Sequence, residues 1–148
     1  MNKCHCWINL YICKNSLVKD QTGYWIDLSD YDLETAEAML SSGRFLYVGF
    51  MCHQTIEKIF KAYFCSTSDE LPPYSHNLSL LAAKSGIDKF LTHEFRDLLN
   101  LLEPLNIEAR YPTYKDMLLK SLTKSRCREL LGKTKELQTW VKEKLLKS

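Results

Sequence analysis

The chain has 148 residues, of which 45% are hydrophobic and 26% charged, a balance typical of one globular domain. Its five glycines and four prolines disfavour a turn-rich all-β fold, and no apolar run reaches the roughly 20 residues of a membrane-spanning helix. The net charge of +2 is small but uneven, because residues 115–148 contain ten Lys/Arg and four Asp/Glu, which leaves about −4 on the first 114 residues. A basic segment on an acidic body favours an anionic partner.

The six cysteines do not indicate a disulfide-bonded secreted domain. Three of them, Cys52, Cys65 and Cys127, lie within helical patterns, where a free cysteine acts as a small apolar residue. Residues 7–13 are too short and too polar for a signal peptide. We therefore expect a reducing, cytoplasmic compartment.

Residues 1–19 have no clear hydrophobic period, and we predict a loosely ordered N-terminal extension before a helical domain at 20–148. Within the extension, Cys4 and Cys6 flank His5. Zinc sites need a second ligand pair at a suitable spacing, which this segment lacks, so we predict no metal site.

From residue 22 onward the pattern predicts helices and no strands. Residues 22–42 form a first helix that Gly43 ends. Residues 44–65 have the clearest helical period, and their first half is apolar all round, which predicts burial on both faces.

Three further helices follow in the prediction. A short one begins at a cap formed by Ser75 or Asn77 and ends at Gly86, the next covers residues 88–103 before Pro104, and the last covers 114–146. The expected fold is an all-α, up-and-down bundle of about five helices.

Four polar side chains recur at i, i+3, i+4 and i+7 in the second helix: Gln54, Glu57, Lys58 and Lys61. One interpretation is a solvated face with local ion pairs. However, Phe50 and Met51 lie on the same side one to two turns earlier. A polar patch next to an apolar one is also typical of an interface or the rim of a cleft.

His76 stands at the start of the short third helix. It is interpreted either as a cap or core hydrogen-bonding group, or as a contact for phosphate or ribose, because the N-terminus of a helix favours anions.

The joint before the last helix contains Arg110, Tyr111, Pro112 and Tyr114. Arginine is permanently charged and binds phosphate in a bidentate manner, so Arg110 is a candidate anion ligand. The two tyrosines could stack on a base or pack against neighbours. The alternative for Arg110 is structural anchoring, for example by pairing with Glu57.

The last helix separates its charges into two stripes. The basic one contains Lys124, Arg128, Lys135 and Lys142, and the acidic one contains Glu129, Glu136 and Glu143. Such segregation could attract RNA, or it is an ordinary exposed helix surface.

Taken in order, the segments DLETAEAMLSSGRF, HQTIEKIFKAYF, SHNLSLL and EARYP resemble the HEPN family, named for higher eukaryotes and prokaryotes and for nucleotide binding. The resemblance covers about residues 22–146. It implies a bundle with a four-helix core, homodimers, and frequent pairing with a minimal nucleotidyltransferase in a toxin–antitoxin-like system.

The resemblance also implies roles for individual residues. Nucleotide or anion binding is expected of Lys58, Lys61, His76, Arg110 and Tyr111. A supporting or interface role is expected of Gln54, Glu57, Phe50, Met51 and Tyr114. No cofactor is expected other than a bound nucleotide.

Many HEPN proteins look like metal-independent ribonucleases whose motif is an arginine followed, four to six residues later, by a histidine. Arg110 occupies the position of the arginine, but no histidine follows it at that spacing. The chain therefore resembles the branch of the family marked by "RYP", and binding is favoured over catalysis. The alternatives are a ribonuclease toxin that uses Arg110 with a base such as His76 or Asp116, and a purely structural helical adaptor.

Overall fold

The computed structural model describes the backbone of residues 4–107 and 112–147, and the side chains of residues 21–106 and 115–147. The helices are α1 (Cys4–Ser41), α2 (Phe45–Thr67), α3 (Leu78–Ser85), a short 3-10 helix (Ile87–Phe90), α4 (His93–Ile107), α5 (Pro112–Ser121) and α6 (Lys124–Lys147). No strand occurs in these ranges. The predicted all-α bundle is therefore confirmed.

The first two helices form a hairpin around a left-handed turn at Gly43, whose φ is 73°. The turn is closed by the amide of Arg44, which donates to the carbonyl of Met39 at 2.8 Å. Glycine has no Cβ and adopts this conformation without strain, so it ends the helix as predicted. Helix α1 begins at Cys4 and not near residue 22. The side chains of residues 1–20 lie outside the described set, and the proposed boundary between residues 19 and 20 stays a prediction.

Helix α2 occupies the centre of the bundle and contacts α1, α3, α4, α5 and α6. Its residues Val48, Cys52, Ile56, Ile59 and Phe60 have no exposed surface. Burial also extends along the polar second half of the helix, whereas Tyr47 in the apolar first half is exposed. A helix surrounded by others places the polar side chains of its covered faces in a low-dielectric environment.

Both predicted limits of α3 are confirmed, whereas the predicted end of α4 is wrong. The side chain of Asn77 accepts from the amide of Leu80 and caps α3, and Gly86 ends it with a φ of 79°. Pro104, expected to end α4, lies inside it. Pro104 is exposed, so water can reach the backbone carbonyl that its missing N–H leaves unpaired.

The predicted single helix over residues 114–146 is in fact two helices, α5 and α6. The break is a capped helix start, in which the Thr123 hydroxyl accepts from the amide of Arg126 at 3.2 Å. Threonine at this position competes with helix continuation by satisfying a backbone donor. No helix within the described residues is long and apolar enough to span a bilayer.

A close approach at Gly49 fixes the distance between α2 and α4. A Cβ at this position would lie 2.9 Å from Cδ1 of Leu105. The next residue of α4, Asn106, is thereby held against α2, where its side chain accepts a hydrogen bond from Gln54. The glycine therefore helps to join the end of α4 to the polar part of α2.

Replacing Gly49 by valine should destabilise the protein more than the same change at Gly132, an exposed glycine of α6 with no atom within 4 Å of a built Cβ. Both substitutions change the helix propensity by a similar amount, so the difference reports the overlap with Leu105. We expect an additional loss of about 1–3 kcal/mol for Gly49→Val, measured by urea denaturation. Equal stability of the two variants would contradict the close approach.

Candidate site around Glu57

The carboxylate of Glu57 lies at the centre of a buried polar cluster. Only 1% of its side chain is exposed. Its Oε1 accepts from Nζ of Lys61 at 2.8 Å, and its Oε2 contacts Nδ1 of His76 at 2.9 Å. Nζ of Lys58 lies 3.8 Å from Oε1. We call Gln54, Glu57, Lys58, Lys61 and His76 the Glu57 cluster.

The surroundings of Glu57 keep it ionised. Burial raises the pKa of this carboxyl, but the hydrogen bonds from Lys61 and His76 and the charge of Lys58 outweigh burial, and the pKa lies below its usual value. An ionised carboxylate is only an acceptor, so His76 must carry a proton on Nδ1. The other ring nitrogen, Nε2, is then the one that His76 presents away from Glu57.

Lys58 links the cluster to two other helices. Its Nζ donates to Oε1 of Gln54 at 2.7 Å, and Nε2 of Gln54 donates to Oδ1 of Asn106 on α4 at 3.2 Å. The same ammonium lies 3.8 Å from Asp32 on α1. Burial, with a further contribution from Glu57, raises the pKa of Asp32, although Lys58 acts in the opposite direction. Lys58 keeps 17% of its side chain exposed, and it therefore has access to solvent.

Lys61 is more enclosed than Lys58. The residue is 6% exposed, and its ammonium lies 5.1 Å from the ring centroid of Trp25 on α1. A cation over an indole face gains a favourable electrostatic interaction. Lys61 thus neutralises Glu57 and packs on α1, which is a supporting position, whereas His76 has 55% of its side chain exposed.

His53, which lies one turn before Glu57, was not among the predicted site residues. It is fully buried, and neither ring nitrogen has a hydrogen-bond partner among the described residues. Its Nδ1 lies 3.9 Å from Oε2 of Glu57. Burial lowers the pKa of His53 to about 4, although Glu57 acts in the opposite direction, so the imidazole is neutral. The i, i+4 spacing to Glu57 was the signal that could have identified it.

The structure thus brings five of the predicted residues together: four lie on α2, and His76 reaches them from the loop before α3. The polar side chains at positions 54, 57, 58 and 61 form a stripe along α2. Its interpretation as a solvated face is wrong, since Gln54, Glu57 and Lys61 are all buried. His76 does not cap α3, because its neighbour Asn77 does so. The α2 side chains instead form an internal polar network with His76, and this network reaches the surface at Lys58 and His76.

The remaining predicted site residues are not among the five of the Glu57 cluster. Phe50 and Met51 are half-buried on α2, and Met51 packs against the core. Arg110, Tyr111 and the side chain of Tyr114 lie outside the described residues. Pairing of Arg110 with Glu57 therefore stays a prediction.

Part of the basic stripe of α6 faces α1. Nζ of Lys135 lies 3.3 Å from Glu37, and Lys142 contacts Asp30. Lys124 and Arg128 are exposed. The stripe therefore includes interhelical ion pairs, and its full length is not a free surface for RNA.

The fold and the cluster define an α-helical bundle whose central helix carries a buried, hydrogen-bonded charge network. The model of the HEPN domain matches residues 22–144, and the chain therefore belongs to the HEPN domain family. A search of curated proteins gave no significant match.

Two solved structures share this architecture. TT1696 from Thermus thermophilus has 19% identity and a TM-score of 0.72, and the alignment covers 84% of this chain and 98% of TT1696. ST0689, described as an archaeal HEPN homologue, has 22% identity and a TM-score of 0.65, with 84% and 97% of the two chains covered. At these identities the likeness shows the fold alone.

Replacing Glu57 by glutamine should cost about 3–5 kcal/mol of unfolding free energy, because it leaves the buried ammonium of Lys61 without its counter-charge. Glu129→Gln is the matched control: Glu129 also pairs with a lysine four residues later at 2.8 Å, but that pair is solvent-exposed. We expect the control to stay close to wild type. Equal losses in the two variants, measured by urea denaturation at pH 7, would contradict a special role for burial.

The stability difference between wild type and Glu57→Gln should also depend on pH. Because the folded-state pKa of Glu57 is depressed, its contribution is present above the unfolded-state pKa of about 4.3 and is lost as the pH falls through the folded-state value. The stability difference between wild type and Glu57→Gln should therefore shrink below about pH 4. A difference that stays constant from pH 7 to pH 3 would contradict this assignment.

Proposed function

We propose that this HEPN-domain protein is a nucleotide- or nucleic-acid-binding and protein-interaction module. The observation that carries the proposal is the Glu57 cluster, which places two ammonium groups, Lys58 and Lys61, around one carboxylate. These three groups leave one positive charge in excess. Asp32, 3.8 Å from Nζ of Lys58, offsets part of this charge, and burial weakens the offset because it raises the pKa of Asp32. A partly enclosed cationic site with low dielectric around it attracts phosphate more strongly than an exposed lysine does.

The two members of the cluster with the most solvent access would contact the ligand. Lys58 supplies an ammonium, and His76 would donate to the phosphate from Nε2 in its imidazolium form, since its Nδ1 is bound to Glu57. Lys61 and Glu57 would hold this arrangement from behind. Gln54 connects it to Asn106 at the end of α4.

Arg110 and Tyr111 complete the proposed site. Arg110 follows Asn106 by four residues in the chain, so a short segment separates it from a side chain that contacts Gln54. A guanidinium forms two parallel hydrogen bonds with a phosphate, which an ammonium cannot do. Arg110 would therefore orient the phosphate that Lys58 attracts.

The partners proposed for the module follow from the family and from the charge distribution. We infer a homodimer that binds a minimal nucleotidyltransferase in a toxin–antitoxin-like pair, in the cytoplasm. The basic residues 115–148 and the acidic remainder of the chain give the surface two signs of charge, which favours association with a protein of complementary pattern.

Nucleotide binding should be lost in Lys58→Gln and in Arg110→Ala. At a ligand concentration of 100 times the dissociation constant, bound nucleotide should stabilise the wild-type protein by about 2.7 kcal/mol. The measurement is denaturation with and without each of AMP, GMP, CMP and UMP. Lys135→Gln on α6 is the control, because its ammonium pairs with Glu37 away from the cluster. No stabilisation of wild type by any of them would leave the structural adaptor as the better description.

Native mass spectrometry of the protein purified from its own cells tests the partners. We expect a dimer mass, a co-purified small nucleotidyltransferase and a retained nucleotide. A monomer with neither partner nor nucleotide would contradict the proposed assembly.

A second function, metal-independent RNA cleavage, is favoured by one observation: the Glu57 carboxylate orients the His76 imidazole, as in catalytic dyads. Nε2 of His76 would take the proton of a ribose 2′-hydroxyl while the 2′-oxygen attacks the adjacent phosphorus. The bond to the 5′-oxygen would break, and that oxygen would leave with a proton from solvent. Arg110 would stabilise the charge on phosphorus.

Cleavage of single-stranded RNA in the presence of EDTA, with loss of at least about 100-fold in His76→Ala and in Arg110→Ala, is the outcome expected for a ribonuclease. Gel analysis should then show products ending in a 2′,3′-cyclic phosphate. RNA that binds but remains intact would contradict the ribonuclease and support the binding module.

A further inference from the structure

Tyr74 has an unusual environment next to the Glu57 cluster. It lies in the loop between α2 and α3, and its side chain is fully exposed, at 101% of the reference surface. Its ring centroid lies 6.3 Å from that of His76, with an angle of 59° between the planes. The two rings are therefore neighbours without being stacked, and both faces of the phenol ring are free to contact another molecule.

The loop that carries Tyr74 is held at several points. Pro72 and Pro73 have fixed φ angles. The amide of Ser75 donates to the carbonyl of Pro73 at 2.9 Å, and His76 is bound to Glu57. On the far side Asn77 caps α3. The backbone at Tyr74 is therefore held, and ligand binding would have to order only its side chain.

Complete exposure of an aromatic ring gives no folding stability, because no apolar surface is removed from water. Trp25 also lies near the cluster, but the ammonium of Lys61 already covers its ring. Tyr74 is thus a free aromatic face beside the solvent-accessible end of the cluster. Nucleobases stack on such faces whatever their sequence, because every base has a π-face.

We propose that Tyr74 is the base-stacking residue of a nucleotide site in which Lys58 and His76 contact the phosphate. The inference rests on the proposed function and deepens it: the ligand of the Glu57 cluster is a nucleotide and not an inorganic anion. Tyr74 supplies affinity for the base, and the cluster supplies affinity for the phosphate. Discrimination among the four bases should be weak, because stacking alone does not read base edges.

The test compares AMP, GMP, CMP and UMP with inorganic phosphate in NMR titrations of the full chain. In Tyr74→Ala the affinity for the tightest-binding nucleotide should fall by roughly 5- to 150-fold, and the affinity for phosphate should be unchanged. Tyr74→Phe should stay close to wild type, since the ring is retained. Tyr31→Ala, on α1, is the matched control for the loss of an exposed tyrosine.

Several outcomes would overturn the inference. If Tyr74→Ala binds nucleotides as wild type does, or if Tyr74→Phe loses as much as Tyr74→Ala, stacking on Tyr74 is wrong while the anion site stands. If wild type binds nucleotides no more tightly than phosphate, the base contributes nothing. If wild type binds none of these probes, the proposed function fails together with the inference.

Discussion

The ionised carboxylate of Glu57, buried in the centre of the bundle, is the constraint on which the rest of the site depends. An unpaired charge in this environment would be too costly, so the fold must bring cations and donors to it. Lys61 comes from the next turn of the same helix, and His76 comes from a loop 19 residues later. The network therefore fixes the loop before α3 against α2, and this contact joins His76 to the four polar side chains of α2.

The polar network also connects elements that the apolar core holds only by packing. Gln54 reaches Asn106 at the end of α4, and Lys58 lies near Asp32 on α1. A network of this kind gives little net stability compared with an apolar core, but it penalises any arrangement in which a member loses its partner. His53 is the exception, because its buried nitrogens have no described partner and its lowered pKa keeps it neutral.

The chain belongs to the HEPN family. No histidine follows Arg110 at the spacing of the nuclease motif. The imidazole of His76 is present on a different element, bound to a carboxylate. With a proton on Nε2 this imidazole can donate to a phosphate, and without one it can accept a proton.

The sequence by itself determined the all-α class, the ends of α1 and α3 at Gly43 and Gly86, and the polar stripe at 54, 57, 58 and 61. These follow from local rules: helical periodicity, capping, and the left-handed conformation of glycine. The continuation of α4 through Pro104 and the break before α6 at Thr123 do not follow from these rules, because both depend on which backbone groups water or a side chain can satisfy. A helical period also cannot tell a solvated stripe from one covered by neighbouring helices.

Only the tertiary structure decided that Glu57 is buried, that His76 binds it, and that the ring of Tyr74 lies next to that of His76. The contacts of His76 with Glu57 and of Gln54 with Asn106 join residues far apart in the chain. Their energies come from desolvation and charge pairing, which depend on the packing of several helices and leave no periodic signal in one of them.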